Sequence, residues 1–241
     1  MTLDGHIVLV TGAAGTLGAA CVEATREAGG TAITTDLDHK DGIDFAHDVT
    51  DEWAWEHVVA EIEARHGRLD GLVNAAGVMH VASVEETTYH DWKRVMAVNA
   101  DGTFLGCKQA WPLLLKSAAP AIVNLSSVSG LVGGAKLAAY NASKGAVTLL
   151  TKSVALHGAR LSPPIRCNSV HPAFVEGPMV DSIAAAMRNP ASAHEKIRAM
   201  VPMGRFAEPR EIAATAVHLL SPAASFITGA EVVVDGGLVA G

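Results

Sequence analysis

Six short apolar runs, "HIVLVTG", "TAITTD", "GLVNAAG", "AIVNLSS", "IRCNSVHP" and "EVVVDGG", each close on turn-forming residues. They lack the strict polar alternation of a strand with one wet face, so the sheet they form must be covered on both sides. Between most of them lie longer stretches with helical periodicity, among them residues 53–66, 89–115 and 141–161. Strands buried on both faces and alternating with helices specify an α/β fold, a doubly wound and mostly parallel sheet with helices on both faces. No fixed-period repeat, low-complexity tract or linker divides the 241 residues, so a single domain spanning 1–241 is expected. Only "LDHKDGIDFAH" separates Asp36 from Asp48, too little for a full crossover helix, which predicts an abbreviated connection there. Residues 174–202 carry no strand signal and include "AAAMRNPASAHEKIRAM", which reads as an inserted helical flap.

Apolar residues make up 49% of the chain and charged ones 18%, enough to build a core without disulfides. The net charge of −7 comes with no lysine or arginine cluster, which removes the electrostatic basis for binding nucleic acid or an anionic membrane. Cys21, Cys107 and Cys167 are odd in number and widely spaced, so neither a disulfide framework nor a CxxC metal site is expected. A reducing cytoplasm fits that pattern. The start "MTLDGHIVLVTG" has no basic stretch leading into a long apolar one, so no targeting segment is expected.

"VLVTGAAGTLGAACVEA" follows the first strand and opens a helix with Gly12, Gly15 and Gly18. In that context glycines allow a tight turn and close approach to a pyrophosphate, stabilised by free N–H groups at the positive end of the helix. A Rossmann-type dinucleotide site is expected there, the alternative being a glycine-rich turn needed only for packing. Asp36 closes the second strand, where a carboxylate accepts hydrogen bonds from ribose hydroxyls and repels a 2′-phosphate. NAD is therefore expected ahead of NADP, although Lys40 lies close enough in sequence to leave NADP open.

"AAYNASKGAVTLLTKSVAL" places Tyr140 and Lys144 one helical turn apart on a common face. A phenol is only about 0.1% ionised at pH 7, so service as a base calls for about 3 to 4 kcal/mol of help. A nearby ammonium and a cationic nicotinamide ring are the expected sources. Thirteen residues earlier, Ser127 ends an apolar strand, where its hydroxyl can meet a carbonyl or alcohol oxygen; Ser126 and Ser129 are rivals in the same loop. No Gly-x-Ser-x-Gly elbow supports a nucleophilic serine.

With these residues in place, the sequence resembles the short-chain dehydrogenase/reductase family over almost its whole length. The resemblance rests on "TGAAGTLG" at 11, "DVT" at 48, "NAAG" at 74, "VNADG" at 98, "NLSS" at 124, "YNASK" at 140, "NSVHP" at 168 and "TGAEVVVDGG" near the end. It implies that Tyr140 is the general acid/base, that Lys144 lowers its pKa and holds the nicotinamide ribose, and that Ser127 orients the substrate oxygen. Asn99 would anchor a water relay behind Lys144. For the dinucleotide it implies Gly12, Gly15, Thr16, Leu17 and Gly18 around the phosphates, Asp36 and Leu37 at the ribose, and Asp48 and Val49 at adenine. Asn74, Ala75, Ala76 and Gly77 would line the cofactor, with Tyr140, Lys144, Pro172 and Val175 around the nicotinamide. Hydride would pass between carbon and nicotinamide with no metal.

The chain departs from that pattern in three places. Thr16 stands where the short family members place their middle glycine, Pro172-Ala173 replaces Pro-Gly, and Gly177 stands where a threonine would hold the carboxamide, a task left to backbone near Val175. Ser129, Phe174 and Met179 are the expected substrate contacts. Met179, Met187, Met200 and Met203 supply adaptable apolar walls in and beside the flap. The expected substrate is a bulky, largely apolar secondary alcohol or ketone, alicyclic or steroid-like. Two alternatives are a 3-oxoacyl-thioester reductase and a catalytically silent cofactor-binding sensor. The helices at 89–115 and 141–161 resemble those through which family members pair, so a homotetramer is expected.

Overall fold

The computed structural model describes residues 2–38, 41–187 and 189–241. In β1 (Ile7–Thr11) all five residues are buried, and successive side chains supply different cores. Val8 and Val10 point to one face of the sheet, Ile7 and Leu9 to the other. Strands buried on both faces must lie inside the sheet, and β4 (Gly71–Asn74), β5 (Ala121–Leu125) and β6 (Arg166–Pro172) follow the same rule. With β2 (Thr31–Asp36), β3 (Phe45–Ala46) and β7 (Glu231–Val234) they form one seven-stranded sheet in the order β3-β2-β1-β4-β5-β6-β7. Every pairing is parallel.

One face is covered by α1 (Thr16–Glu27) and α8 (Pro209–Leu220), whose Cys21, Val22, Ile212, Ala216 and Leu220 pack on Val8, Val10, Val73 and Val123. The other face carries α2 (Glu52–His66), α4 (Gly102–Leu114) and α5 (Ala138–Gly158), which bring Trp55, Val58, Ile62, Leu113 and Ala155 against Leu9, Leu72 and Ile122. The expected doubly wound single domain is therefore present. The described part of the connection between β2 and β3 contains no helix, as its length predicts.

Two expectations change in detail. The helix expected over 89–115 is divided into α3 (Tyr89–Met96), a π-helical turn at Ala97–Asp101, and α4, which follow one another without a gap. The wider turn accommodates an extra residue and faces Asn99 inward, fully buried. The segment 174–202 holds α6 (Pro178–Ala185) and α7 (Ala193–Met200), but it is pinned at its start by a short parallel bridge between Val175 and Ala207. Val180, Ala184, Ala193, Ile197 and Phe206 give this flap a small core of its own.

After β3, His47 is 2% exposed, packs edge-on against Trp55 with ring centroids 4.3 Å apart, and pairs through Nδ1 with Thr35 Oγ1. Burial pushes its pKa down to about 4 against the opposing pull of Asp48 and Asp51. An imidazole neutral in the native chain but free to protonate near 6.5 when unfolded contributes stability fully above that pH and loses it on acidification. Chemical denaturation should therefore lose roughly 3 kcal/mol from this group between pH 7.5 and pH 4. His47→Leu should flatten that part of the slope. His171, whose pKa burial also lowers, adds to the wild-type slope in the same direction.

Candidate active site

Parallel pairing brings the carboxyl ends of the strands to one edge, and the expected site residues gather along it. Two adjoining cavities of about 370 and 360 Å³ share Gly15, Ala75 and Gly77 in their walls and together make one elongated cleft. The larger is lined by Thr16, Leu17, Gly18, Ser127, Ser129, Tyr140, Lys144, Pro172, Phe174, Val175 and Met179. The smaller is lined by Gly12, Asp36, Leu37, Asp48, Val49 and Ala76. Among the described residues no group of three or more His, Cys, Asp or Glu side chains is placed to hold a metal ion.

The glycine loop is shaped for close backbone approach. A Cβ on Gly18 would fall 2.0 Å from the carbonyl oxygen of Gly12, so the first turn of α1 folds onto the loop only without a side chain there. Gly15, the residue before α1, leaves the helix start without a side-chain cap, and the first N–H groups remain available to an anion. At the other end of the cleft Asp36 accepts from Ala14 N–H at 2.9 Å through one oxygen and from Leu37 N–H at 2.8 Å through the other. No lysine or arginine is among the described residues lining that cavity. Lys40, the cation that left NADP open, lies outside the described residues. A cradle that a Cβ would fill, an open helix start and a carboxylate at the end of β2 fit a dinucleotide.

The expected proton-transfer group is built by β5 and α5. Tyr140 lies in the first turn of α5, Lys144 one turn later, and the loop after β5 presents Ser127. The Lys144 ammonium donates to Leu125 O at 2.7 Å and stands 5.8 Å from the centre of the Tyr140 ring. Burial lowers its pKa to about 8. Burial also pushes the Tyr140 phenol up to about 12, with the neighbouring Ser127 hydroxyl opposing. Desolvation is thus the dominant influence on the phenol, and the Ser127 hydroxyl is what opposes it. The Tyr140 Oη lies 3.9 Å from Met179 Sδ on α6.

The three serines all border the larger cavity but differ in their partners. Ser126 Oγ donates to Lys144 O at 3.0 Å and meets Thr148 Oγ1 at 3.1 Å, so it fastens β5 to α5. Ser127 faces the cleft; its Oγ donates to Pro172 O at a long 3.3 Å and accepts from Ser129 N–H at 3.1 Å. Ser129 borders the same cavity.

Asn99 and Asn74 stand behind the wall. Asn99 Oδ1 accepts from Val78 N–H at 2.8 Å, while Nδ2 donates to Val78 O and to Ser143 Oγ, both at 2.9 Å. It clamps the segment after Gly77 to α5. Gly77 lies between Asn99 and Lys144, since a Cβ there would be 3.5 Å from Asn99 Oδ1 and 3.6 Å from Lys144 Nζ. Asn74 is buried and donates to Asn124 Oδ1 at 2.8 Å, joining β4 to β5. The bridge at Val175 uses Phe174 O and Glu176 N–H and leaves Val175's own backbone groups out of the pairing, consistent with a backbone contact near it.

Two supporting residues escaped sequence reasoning. Thr11 Oγ1 accepts from Ala75 and Ala76 N–H at 3.1 and 3.2 Å, pinning the loop after β4 to the end of β1. His171, fully buried, pairs through Nδ1 with Ser127 O at 2.9 Å and through Nε2 with Ser169 Oγ at 2.8 Å, so it fixes the backbone beneath Ser127. The available signal for Thr11 was a polar residue closing an otherwise apolar strand; His171 lies among the other polar residues of β6 and had none.

A family model described as Enoyl-(Acyl carrier protein) reductase matches residues 12–239. The chain is 36% identical over 252 residues to an NADP-dependent (R)-specific alcohol dehydrogenase of Lentilactobacillus kefiri, covering 99% of this chain and 98% of that one. It is 39% identical over 253 residues, with the same coverage, to a cyclopentanol dehydrogenase of a Comamonas strain. Among solved structures, ligand-free Thermoplasma acidophilum aldohexose dehydrogenase superposes with a TM-score of 0.92 at 32% identity, covering 99% of this chain and 96% of the other. Motifs, fold, cleft and relatives agree: the chain is an oxidoreductase that belongs to the short-chain dehydrogenase/reductase family.

Proposed function

We propose that the chain interconverts a secondary alcohol and its ketone with NAD, using Tyr140 Oη as the proton-transfer atom. The observation that carries this reading is the convergence of Ser127, Tyr140 and Lys144 on the cavity whose wall includes the start of α1. When bound, the dinucleotide supplies the hydride acceptor or donor and, when oxidised, a positive charge. Tyr140 Oη takes the hydroxyl proton of an alcohol or returns one to a ketone oxygen. The Ser127 hydroxyl hydrogen goes to Pro172 O over a long 3.3 Å while Ser129 N–H holds the oxygen, so the hydrogen can turn to the substrate oxygen at little cost. The Lys144 ammonium, fixed by Leu125 O, favours the phenolate through space.

The paired acceptor role of Asp36 and the absence of a cation among the described residues around it support NAD. The Lentilactobacillus relative is named as NADP-dependent, so the preference rests on this chain's own carboxylate. Val128, Leu137, Phe174, Met179 and Ile183 make an apolar wall facing Tyr140, which supports a bulky alicyclic or steroid-like substrate, and the cyclopentanol-oxidising relative is of that class. The family description favours one second reading, a thioester substrate on a carrier. Exposed Phe104 on α4 and Leu149 and Leu156 on α5 support pairing of chains, and we extend this to a homotetramer acting in the cytoplasm.

A panel of cyclic secondary alcohols, small hydroxy acids and 3-oxoacyl thioesters, run with both dinucleotides, tests the reading. NADH formation should be fastest with cyclic alcohols, and Tyr140→Phe should cut kcat by roughly 10²–10⁴-fold while NADH still binds. Faster thioester reduction selects the second reading, and dinucleotide binding without turnover of any substrate class leaves a cofactor-binding sensor.

The tyrosine difference spectrum between the chain and Tyr140→Phe gives an independent measure. Without dinucleotide Tyr140 should ionise near pH 12, and saturating NAD should move that transition down in pH. An unmoved transition would remove Tyr140 as the base.

A further inference from the structure

Thr16 and Gly177 face each other across the cleft, although 161 positions would not suggest a pair. Thr16 is the first residue of α1 and is exposed, and its hydroxyl makes no hydrogen bond to any described residue. Gly177 precedes α6 at φ 138°, a conformation that favours glycine, and a Cβ built there would lie 3.0 Å from Thr16 Oγ1 and 3.2 Å from its Cγ2. Any larger residue at 177 would press on the threonine. The glycine leaves that hydroxyl room to move.

Both helix starts are bare. Neither α1 nor α6 has a side-chain hydrogen bond at its cap, and Pro178 opens α6 without an N–H of its own. Thr16 is thus the hydroxyl standing between two uncapped helix ends. Its location along the cleft is also specific. It borders the cavity that holds Tyr140 and Lys144 and is absent from the walls of the cavity that holds Asp36. Since the proton-transfer atom must lie beside the reacting carbon, the nicotinamide belongs in the first cavity and the adenosine in the second.

We propose that the Thr16 hydroxyl donates a hydrogen bond to the nicotinamide-bearing half of the dinucleotide, and that Gly177 is the space this threonine requires. The inference rests on the dinucleotide reading above. It joins two departures in the sequence, a threonine where a glycine was expected and a glycine where a threonine was expected, into one local exchange of side chains across the cleft. Thr16 acts in it as a binding residue and moves no proton.

Calorimetric titration with NADH and, separately, AMP tests the proposal on the wild-type chain, Thr16→Val and Thr16→Ser. Valine keeps the shape and removes the hydroxyl; serine keeps the hydroxyl. Thr16→Val should weaken NADH about tenfold, the scale of one hydrogen bond, leave AMP within about twofold, and leave the melting temperature of the free chain unchanged because the side chain is exposed. Thr16→Ser should restore most of the NADH affinity. The proposal is overturned if Thr16→Val binds NADH as the wild type does, if it loses NADH and AMP equally, or if serine fails as fully as valine. A wild-type chain that binds neither NADH nor NADPH would instead overturn the dinucleotide reading itself.

Discussion

The hydrogen bond from the Lys144 ammonium to the carbonyl of Leu125 joins the two elements that bring Tyr140 and Ser127 to the cleft. Lys144 rises from α5, the helix of Tyr140, and Leu125 is the last residue of β5, two positions before Ser127. Taking an ammonium out of water costs several kcal/mol, and one carbonyl dipole recovers only part of it. The shortfall is visible in a lysine pKa drawn down to about 8. The same bond holds the cation 5.8 Å from the centre of the phenol ring, and the phenol oxygen borders the cleft.

Neutral amides do the fastening that charges cannot do cheaply at this depth. Asn74 and Asn124 join adjacent strands, Asn124 continues to Thr151 of α5 at 2.9 Å, and Asn99 spans from Val78 to Ser143. An amide supplies donors and acceptors together, so each can be satisfied inside a low-dielectric core without a counter-ion. The π turn at Ala97–Asp101 belongs to this scheme, since it aims Asn99 from the middle of a long helix toward the segment below the cleft.

The sheet, its parallel sense and the short β2 to β3 connection were legible because burial on both faces leaves an unbroken apolar run, a local signal. Tyr140, Lys144, Ser127 and Asp36 were legible for a similar reason: each sits at a strand end or at helical spacing from its partner. What was not legible depends on distances across the fold. Helical spacing brings Lys144 close to Tyr140 but cannot reveal Leu125 O beneath the ammonium, nor that burial raises the phenol. The π turn left no mark in a periodicity that continues through it. Thr11 and His171 act through contacts to Ala75, Ala76 and Ser127 that no spacing rule connects.

The small apolar nucleus of Val180, Ala184, Ala193, Ile197 and Phe206 stands apart from the two cores flanking the sheet. Selection acting on it meets few of the penalties that guard the scaffold. Mutational drift there can therefore reshape the stretch of cavity wall that Phe174, Val180 and Ile183 supply while the packing on both sides of the sheet stays intact.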